Sequence, residues 1–258
     1  VSTEQKSRVQ AQFGGSAEAY VQSAGHAGGA DLDTIVAWGR AVRPDTVLDV
    51  ATGGGHTALA FAAFAPRVVA TDLTPPMLEA ARRHARSRGA GRIGYLAADV
   101  EALPFAAGAF AAVTCRIAAH HFPAVVAALR EVARVLRPRG TFLLQDILGH
   151  EEPDKAAFIL EVERRRDPSH VRSYSAREWT AFLRATGFTV MEQTVIPKLR
   201  PWEEWTGRSR MSPDTRAALD RFVLEAPAAC REAFDFRVAG GRIESFTDRM
   251  LLLRAERD

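Results

Sequence analysis

Thr46–Asp72 reads T-V-L-D-V-A-T-G-G-G-H-T-A-L-A-F-A-A-F-A-P-R-V-V-A-T-D. Val47–Val50 is a short apolar run without helical period, the pattern of a buried strand. Gly53, Gly54 and Gly55 follow, then Thr57–Phe64, rich in Ala, Leu and Phe and suited to a helix packed on a sheet. Arg67–Thr71 reads as a second buried strand that ends on Asp72. Strand, glycine turn, helix, strand and terminal acid describe a unit for an adenosine-containing ligand. Glycines let the backbone approach such a ligand closely, and an acid at the second strand's tip can accept ribose hydroxyls.

Two ligands fit this unit. Gly53–Ala58 can be written G-x-G-x-x-A, with Asp72 at the spacing of a dinucleotide fingerprint. Asp49, shortly before the glycines, favours the other ligand, S-adenosylmethionine, because an acid there suits a cationic amino acid and opposes a pyrophosphate. A dinucleotide enzyme should also show a second mononucleotide-binding half. This chain instead closes on an apparent hairpin, Phe234–Val238 and Ile243–Leu253 around Gly240-Gly241.

Five ordered motifs carry a family resemblance: D-V-A-T-G-G-G-H-T from Asp49, A-T-D at Ala70–Asp72, A-D-V-E-A-L-P-F at Ala98–Phe105, C-R-I-A-A-H-H-F at Cys115–Phe122 and E-V-A-R-V-L-R-P-R-G at Glu131–Gly140. Together they resemble the class I S-adenosylmethionine-dependent methyltransferases, in particular the group with the ubiquinone/menaquinone C-methyltransferases (type 11). Ala51 stands where that family often has the first glycine. The resemblance implies an α/β, Rossmann-like, seven-stranded sheet, mostly parallel with a C-terminal antiparallel hairpin and helices on both faces. It implies lid helices at 1–29; within one domain over 1–258, the break in strand–helix alternation after the fifth strand places lid insertions at 149–173 and 198–229, against a peripheral decoration. The cofactor would be S-adenosylmethionine, leaving as S-adenosylhomocysteine, held by Tyr20, Asp49, Ala51, Thr52, Gly53, Gly55, Asp72, Leu73, Met77, Asp99, Val100 and Arg116.

The remaining segments fit that frame. Leu32, Ile35, Val36 and Gly39 give Asp31–Ala41 a helical period, with Asp31 as its expected N-cap. Thr74-Pro75-Pro76 opens another helix, with Met77 set for core or adenine. Ile93–Ala97 is a third strand ending near Asp99, a turn residue or an acceptor for an adenine amine. Phe110–Arg116 is a fourth and Thr141–Ile147 a fifth, with an amphipathic helix, Val125–Leu136, between. A helix, Ser175–Thr186, and a strand, Phe188–Ile196, follow. Arg82, Arg83, Arg86 and Arg88, with His84, read as the solvated face and last turn of a helix.

Composition excludes several classes. The chain has 258 residues, 47% hydrophobic and 25% charged, which is ordinary for a globular protein. No apolar run is long enough to cross a membrane, and a cytoplasmic protein without a secretion signal is expected. Cys115 and Cys230, both expected on strands, form neither a disulfide framework nor a zinc pattern. The formal charge of +3 is carried mostly by dispersed arginines interleaved with acids, which argues against a nucleic-acid partner. A small-molecule substrate is the expected partner, no metal is expected, and a homo-oligomer is left open.

Methyl transfer requires chiefly an oriented nucleophile in a site closed to water. A base is needed when that nucleophile carries a proton. His120 and His121, after the fourth strand, are the candidates, against a role in shaping the pocket; His26 and His170 are secondary. Arg116 is placed for an acidic substrate or the cofactor's carboxylate. Trp202, Trp205 and Phe158 motivate an aromatic or quinone-like acceptor. Two other readings stay open: a cofactor-binding protein or non-methylating catalyst on this fold, and an NAD-dependent oxidoreductase.

Overall fold

The computed structural model describes residues 2–15, 17–22, 28–90, 92–209 and 211–258, without the side chains of Ser2, Ala19, Tyr20 and Gln22. Two helices, α1 (Ser2–Gly14) and α2 (Ala17–Gln22), precede α3 (Ala30–Val42). Then come β1 (Thr46–Val50), α4 (His56–Ala62), β2 (Arg67–Asp72), α5 (Pro75–Ser87), β3 (Ile93–Ala97) and β4 (Phe110–Arg116). A 3-10 turn, Ala119–His121, leads to α6 (Val125–Val135) and β5 (Leu136–Ile147). The last third holds α7 (Pro153–Arg166), α8 (Ala176–Ala185), β6 (Phe188–Pro201), α9 (Trp202–Gly207), α10 (Pro213–Leu224), α11 (Ala228–Ala233), β7 (Arg237–Ala239) and β8 (Arg242–Arg257).

The strands pair in the order β3-β2-β1-β4-β5-β8-β6. The first five strands are parallel; β8 runs antiparallel between β5 and β6. The expected seven-stranded sheet is present, and short β7 adds an eighth strand on β8. Gly240 and Gly241, at φ 54° and 74°, make the tight β7–β8 turn that needs positive φ.

Strand order reverses between β1 and β4, so the crevice beyond their C-terminal ends is where this topology binds ligands. β1 is buried along its length. Leu48 and Val50 face a core with Val113, Leu144, Leu129, Trp179 and Leu183, under α6 and α8. Val47 faces the opposite core with Ile35, Phe61 and Ala85, under α3, α4 and α5. A Cβ on Gly39 would lie 2.4 Å from the Phe61 ring, so this close helix contact requires glycine.

A third core joins α7, α9, α10 and α11 to the first half of β8: Phe158, Val162, Trp202, Leu219, Cys230 and Phe246. Two expectations are corrected by the structure. Cys230 lies on helix α11, not on a strand. Asp31 is not the cap of α3, because Gly29 is; Asp31 sits inside the first turn and is 4% exposed. Thr74 is the N-cap of α5 with proline in its first turn, as expected, although its side chain makes no cap bond. Among the described residues, no helix is long and apolar enough to cross a membrane.

Candidate active site

β1 delivers the chain to a turn whose geometry depends on a buried acid. Asp49 Oδ2 accepts hydrogen bonds from the Thr52 hydroxyl at 2.5 Å and the Ala58 N–H at 3.2 Å, and Oδ1 accepts one from the Thr114 hydroxyl at 2.6 Å. Burial pushes its pKa up to about 6, with the Thr114 and Thr52 bonds pulling against it. Asp49 therefore fixes the turn and the start of α4 from behind, and it does not line the cleft. Ala51 has φ 50°, a left-handed backbone that strains any residue with a Cβ by about 1–2 kcal/mol. Gly55 is a packing requirement: a Cβ there would lie 2.9 Å from that of Ala81. Ala51, Thr52, Gly53 and Gly54 face the cleft.

Asp72 completes this side. Its Oδ2 accepts the Gly53 N–H and its Oδ1 the Thr74 N–H, both at 2.9 Å, which ties the turn to the tip of β2. Burial raises its pKa. Past β3, Asp99 accepts a bond from Lys6 Nζ at 2.6 Å, and the same ammonium bridges to Glu101 at 2.5 Å. Helix α1 thus reaches across the cleft, adding Val9 and Phe13 to a wall that holds Leu73, Met77 and Val100.

The third wall begins at the end of β4. Arg116 donates from Nε to the Thr57 hydroxyl at 3.0 Å and lies 3.4 Å from Asp31, which also accepts from the Gln145 amide at 2.7 Å. Burial opposes ionisation of Asp31, but Gln145, Lys198 and Arg116 outweigh it and lower its pKa. Ile117 then takes φ 55°, an uncommon and costly conformation for a β-branched residue. This bend brings the His120 N–H to Asp146 Oδ2 at 2.7 Å and the ring Nδ1 to Asp146 Oδ1 at 2.5 Å. A carboxylate only accepts, so Nδ1 carries hydrogen and a neutral His120 keeps Nε2 as its proton acceptor. Burial alone would lower the His120 pKa, but Asp146 outweighs it and leaves it raised.

His121 differs. Its Nδ1 donates to the Ser169 carbonyl at 3.0 Å, and burial together with His120 pushes its pKa down to about 4. His170 stacks on His120 with ring centroids 4.8 Å apart. The cover then contributes Glu163, Arg166, Asp167, Arg200, Trp205 and Arg208. All three walls enclose one cleft with about 1600 Å³ of empty space, mouth included.

The structure thus brings together Ala51, Thr52, Gly53, Asp72, Leu73, Met77, Asp99, Val100, Arg116, His120 and His121 from the residues singled out by sequence. Asp49 and Gly55 stand behind the wall, Tyr20's side chain and His26 lie outside the described residues, and Trp202 and Phe158 pack in the cover core. Lys6, Glu101, Asp146, Glu163 and Arg200 were missed. Asp146 had a signal, an acid near the end of the fifth strand like those after β2 and β3.

A methyltransferase domain family matches residues 48–144. The uncharacterised methyltransferase YcgJ of Bacillus subtilis is 34% identical over 222 residues, covering 86% of this chain and 88% of its own. The chain belongs to the methyltransferase family. A methyltransferase structure from Bacillus halodurans aligns with a TM-score of 0.86 at 36% identity, over 88% of this chain and 99% of that one. A demethylmenaquinone methyltransferase of Thermus thermophilus is 44% identical, but over only 45% of this chain and 52% of its own. Family membership brings S-adenosylmethionine as the methyl donor and decides between the two cofactors that the glycine turn left open.

Proposed function

We propose that this methyltransferase acts on a small, neutral, hydroxylated acceptor with an aromatic or quinone-like ring, using His120 and Asp146 as a base pair. The observation that carries the base is the double contact between His120 and Asp146. Support for an aromatic acceptor comes from Trp205 and Phe122 on the cleft wall and from the quinone-modifying relative, since Trp202 and Phe158 are committed to packing.

The wall fits the cofactor. Asp72 and Asp99 offer acceptors for ribose hydroxyls and an adenine amine, and Val100 and Met77 offer apolar faces for the ring. Arg116 offers a guanidinium for a carboxylate, while Thr57 and Asp31 fix its direction. When bound, S-adenosylmethionine supplies an electrophilic methyl on a sulfonium. His120 Nε2 takes the acceptor's proton, and Asp146 holds the ring and stabilises the imidazolium that forms. His121, with its low pKa, stays neutral and shapes the wall beside Phe13. The described parts of segments 1–29, 149–173 and 198–229 close this cytoplasmic enzyme's site against water.

The test is a thermal-shift titration with S-adenosylmethionine, S-adenosylhomocysteine and NAD in parallel. A ligand at about a hundred times its Kd stabilises by roughly 2.7 kcal/mol. The first two should raise the melting temperature and NAD should not. Product analysis with hydroxylated aromatic acceptors then separates methyl transfer from cofactor binding alone. A melting response without any methylated product across such acceptors would count against the acceptor class.

A further inference from the structure

Glu163, Arg166 and Asp167, at the end of α7, line the cleft together. Two of them are satisfied. Arg166 donates to the Trp205 carbonyl at 3.0 Å and lies over its indole at 4.6 Å. Asp167 accepts from the Ser169 N–H and hydroxyl at 2.9 and 2.5 Å. Glu163 is different. It is 2% exposed and continues the buried stripe Phe158, Ile159 and Val162. Its Oε1 is buried with no hydrogen-bond partner, and its Oε2 lies 3.9 Å from His170 Nδ1, beyond hydrogen-bond distance. An unpaired buried polar group is costly, and an apolar side chain would serve this stripe better. A buried carboxyl at the wall of a cleft calls for a polar partner, which a ligand bound in the cleft can supply.

The neighbours define that atom. Asp248 faces Glu163 from β8, Arg200 from β6, Arg166 from its own helix, His120 from the turn after β4 and His170 from the loop after α7. Asp248 is itself held by Arg200 Nε at 2.6 Å. Burial, then Asp248, pushes the Glu163 pKa up to about 7, while Arg166, His120 and Arg200 oppose them. Burial, with His120 stacked beside it, drives the His170 pKa far down, so that ring is neutral. A cationic ligand group would meet Arg166 and Arg200, and an anionic one would meet Glu163 itself. A neutral hydroxyl or amine fits: it donates to the carboxylate, and a hydroxyl also accepts from the protonated carboxyl.

We propose that Glu163 anchors the methyl acceptor by accepting a hydrogen bond from a neutral hydroxyl or amino group other than the one deprotonated at His120. This rests on the methyl-transfer reading above. It makes Glu163 a specificity-determining residue and the acceptor a molecule with two hydrogen-bonding groups.

The test uses protein saturated with S-adenosylhomocysteine and two probes, naphthohydroquinone kept reduced without oxygen and its dimethyl ether. Calorimetric titration of wild type should show the diol binding about tenfold or more tightly than the ether. Glu163→Gln keeps an accepting oxygen and should preserve that preference. Glu163→Leu should reduce it to roughly threefold or less, with S-adenosylhomocysteine affinity and melting temperature undiminished. An undiminished diol preference in Glu163→Leu, or no preference in wild type, overturns the anchor while leaving the cofactor reading intact. A melting temperature several degrees lower in Glu163→Leu assigns the residue to structure and also overturns it. Wild type that does not bind S-adenosylhomocysteine overturns the methyl-transfer reading and the anchor with it.

Discussion

Ala51, Thr52, Gly53, Asp72 and Asp99 reach the cleft from the ends of three consecutive strands, β1, β2 and β3. Glu163, His170, Arg200 and Trp205 reach it from a helix, a loop, an edge strand and a second helix, all after β5. The first wall is made of backbone turns and carboxylates that bond chiefly to backbone N–H groups, such as Asp72 with Gly53 and Thr74. The second is made of side chains whose partners come from other elements, such as Arg200 with Asp248 and Arg166 with Trp205. A cofactor common to a family can be read by a local motif that changes little. An acceptor particular to one enzyme is read by side chains hung on variable segments, which can change without disturbing the turn.

Substitutions on the two walls should therefore separate cofactor binding from turnover. The largest effect is expected for His120→Ala, which should lower kcat by about 10²–10⁴-fold while leaving S-adenosylhomocysteine affinity close to wild type. Equal activity in the variant would remove the base. On the other wall, Asp72→Ala should weaken S-adenosylmethionine binding by about 3 kcal/mol, roughly 150-fold, through lost charged hydrogen bonds. Calorimetry giving an unchanged Kd would break the assignment of that wall to the cofactor.

A third measurement is the pH profile of kcat. His120 acts as base when deprotonated, and Asp146 raises its pKa above 6.5, so activity should rise with pH through a point above that value. Asp146→Asn removes the charge that outweighs burial, and the rising limb should move to lower pH with a reduced plateau. A limb that stays in place would assign it to another group, with Glu163 the first to examine. The smallest effect is expected at Ala51. Ala51→Gly relieves the left-handed strain at some cost in unfolded-state entropy, for a net gain of about 0.5 kcal/mol in denaturant unfolding. A loss of stability would mean that the Ala51 methyl packs more favourably than its backbone is strained.

The same contrast explains what could be read from the sequence. The sheet, its helices and the first wall follow from contiguous patterns: Val47–Val50, the three glycines, and acids at or just beyond the ends of β2 and β3. Asp49 was legible as important but not as to its direction, because a strand's alternation does not say which face holds a ligand and which a threonine pair. Asp31 looked like a cap by position. It became part of a buried network because Arg116, Gln145 and Lys198 converge on it from three strands. Lys6 and Glu163 lacked any local signal, since the bridge from Lys6 to Asp99 and the place of Glu163 on the cleft wall are set only by the folded chain. Trp202 misled because an aromatic residue on a covering segment serves the segment's own core as readily as its ligand.

The two longest strands give the cover an unusual support. β8 spans Arg242–Arg257: its later part, Met250 to Ala255, lies in the two sheet cores, while Ile243 and Phe246 belong to the cover. Beside it β6 stays paired from Phe188↔Arg257 to Pro201↔Ser245 and runs directly into α9. The cover is thus a cantilever, cast in one piece with the beam that holds it. Helix α1, by contrast, is held across the cleft by side-chain contacts such as Lys6 with Asp99 and Gln10 with the Leu73 carbonyl. One jaw of the cleft is therefore continuous with the sheet, and the other is laid against it by side chains, with Phe13 and Ala17 packed on Met77 and Ala80.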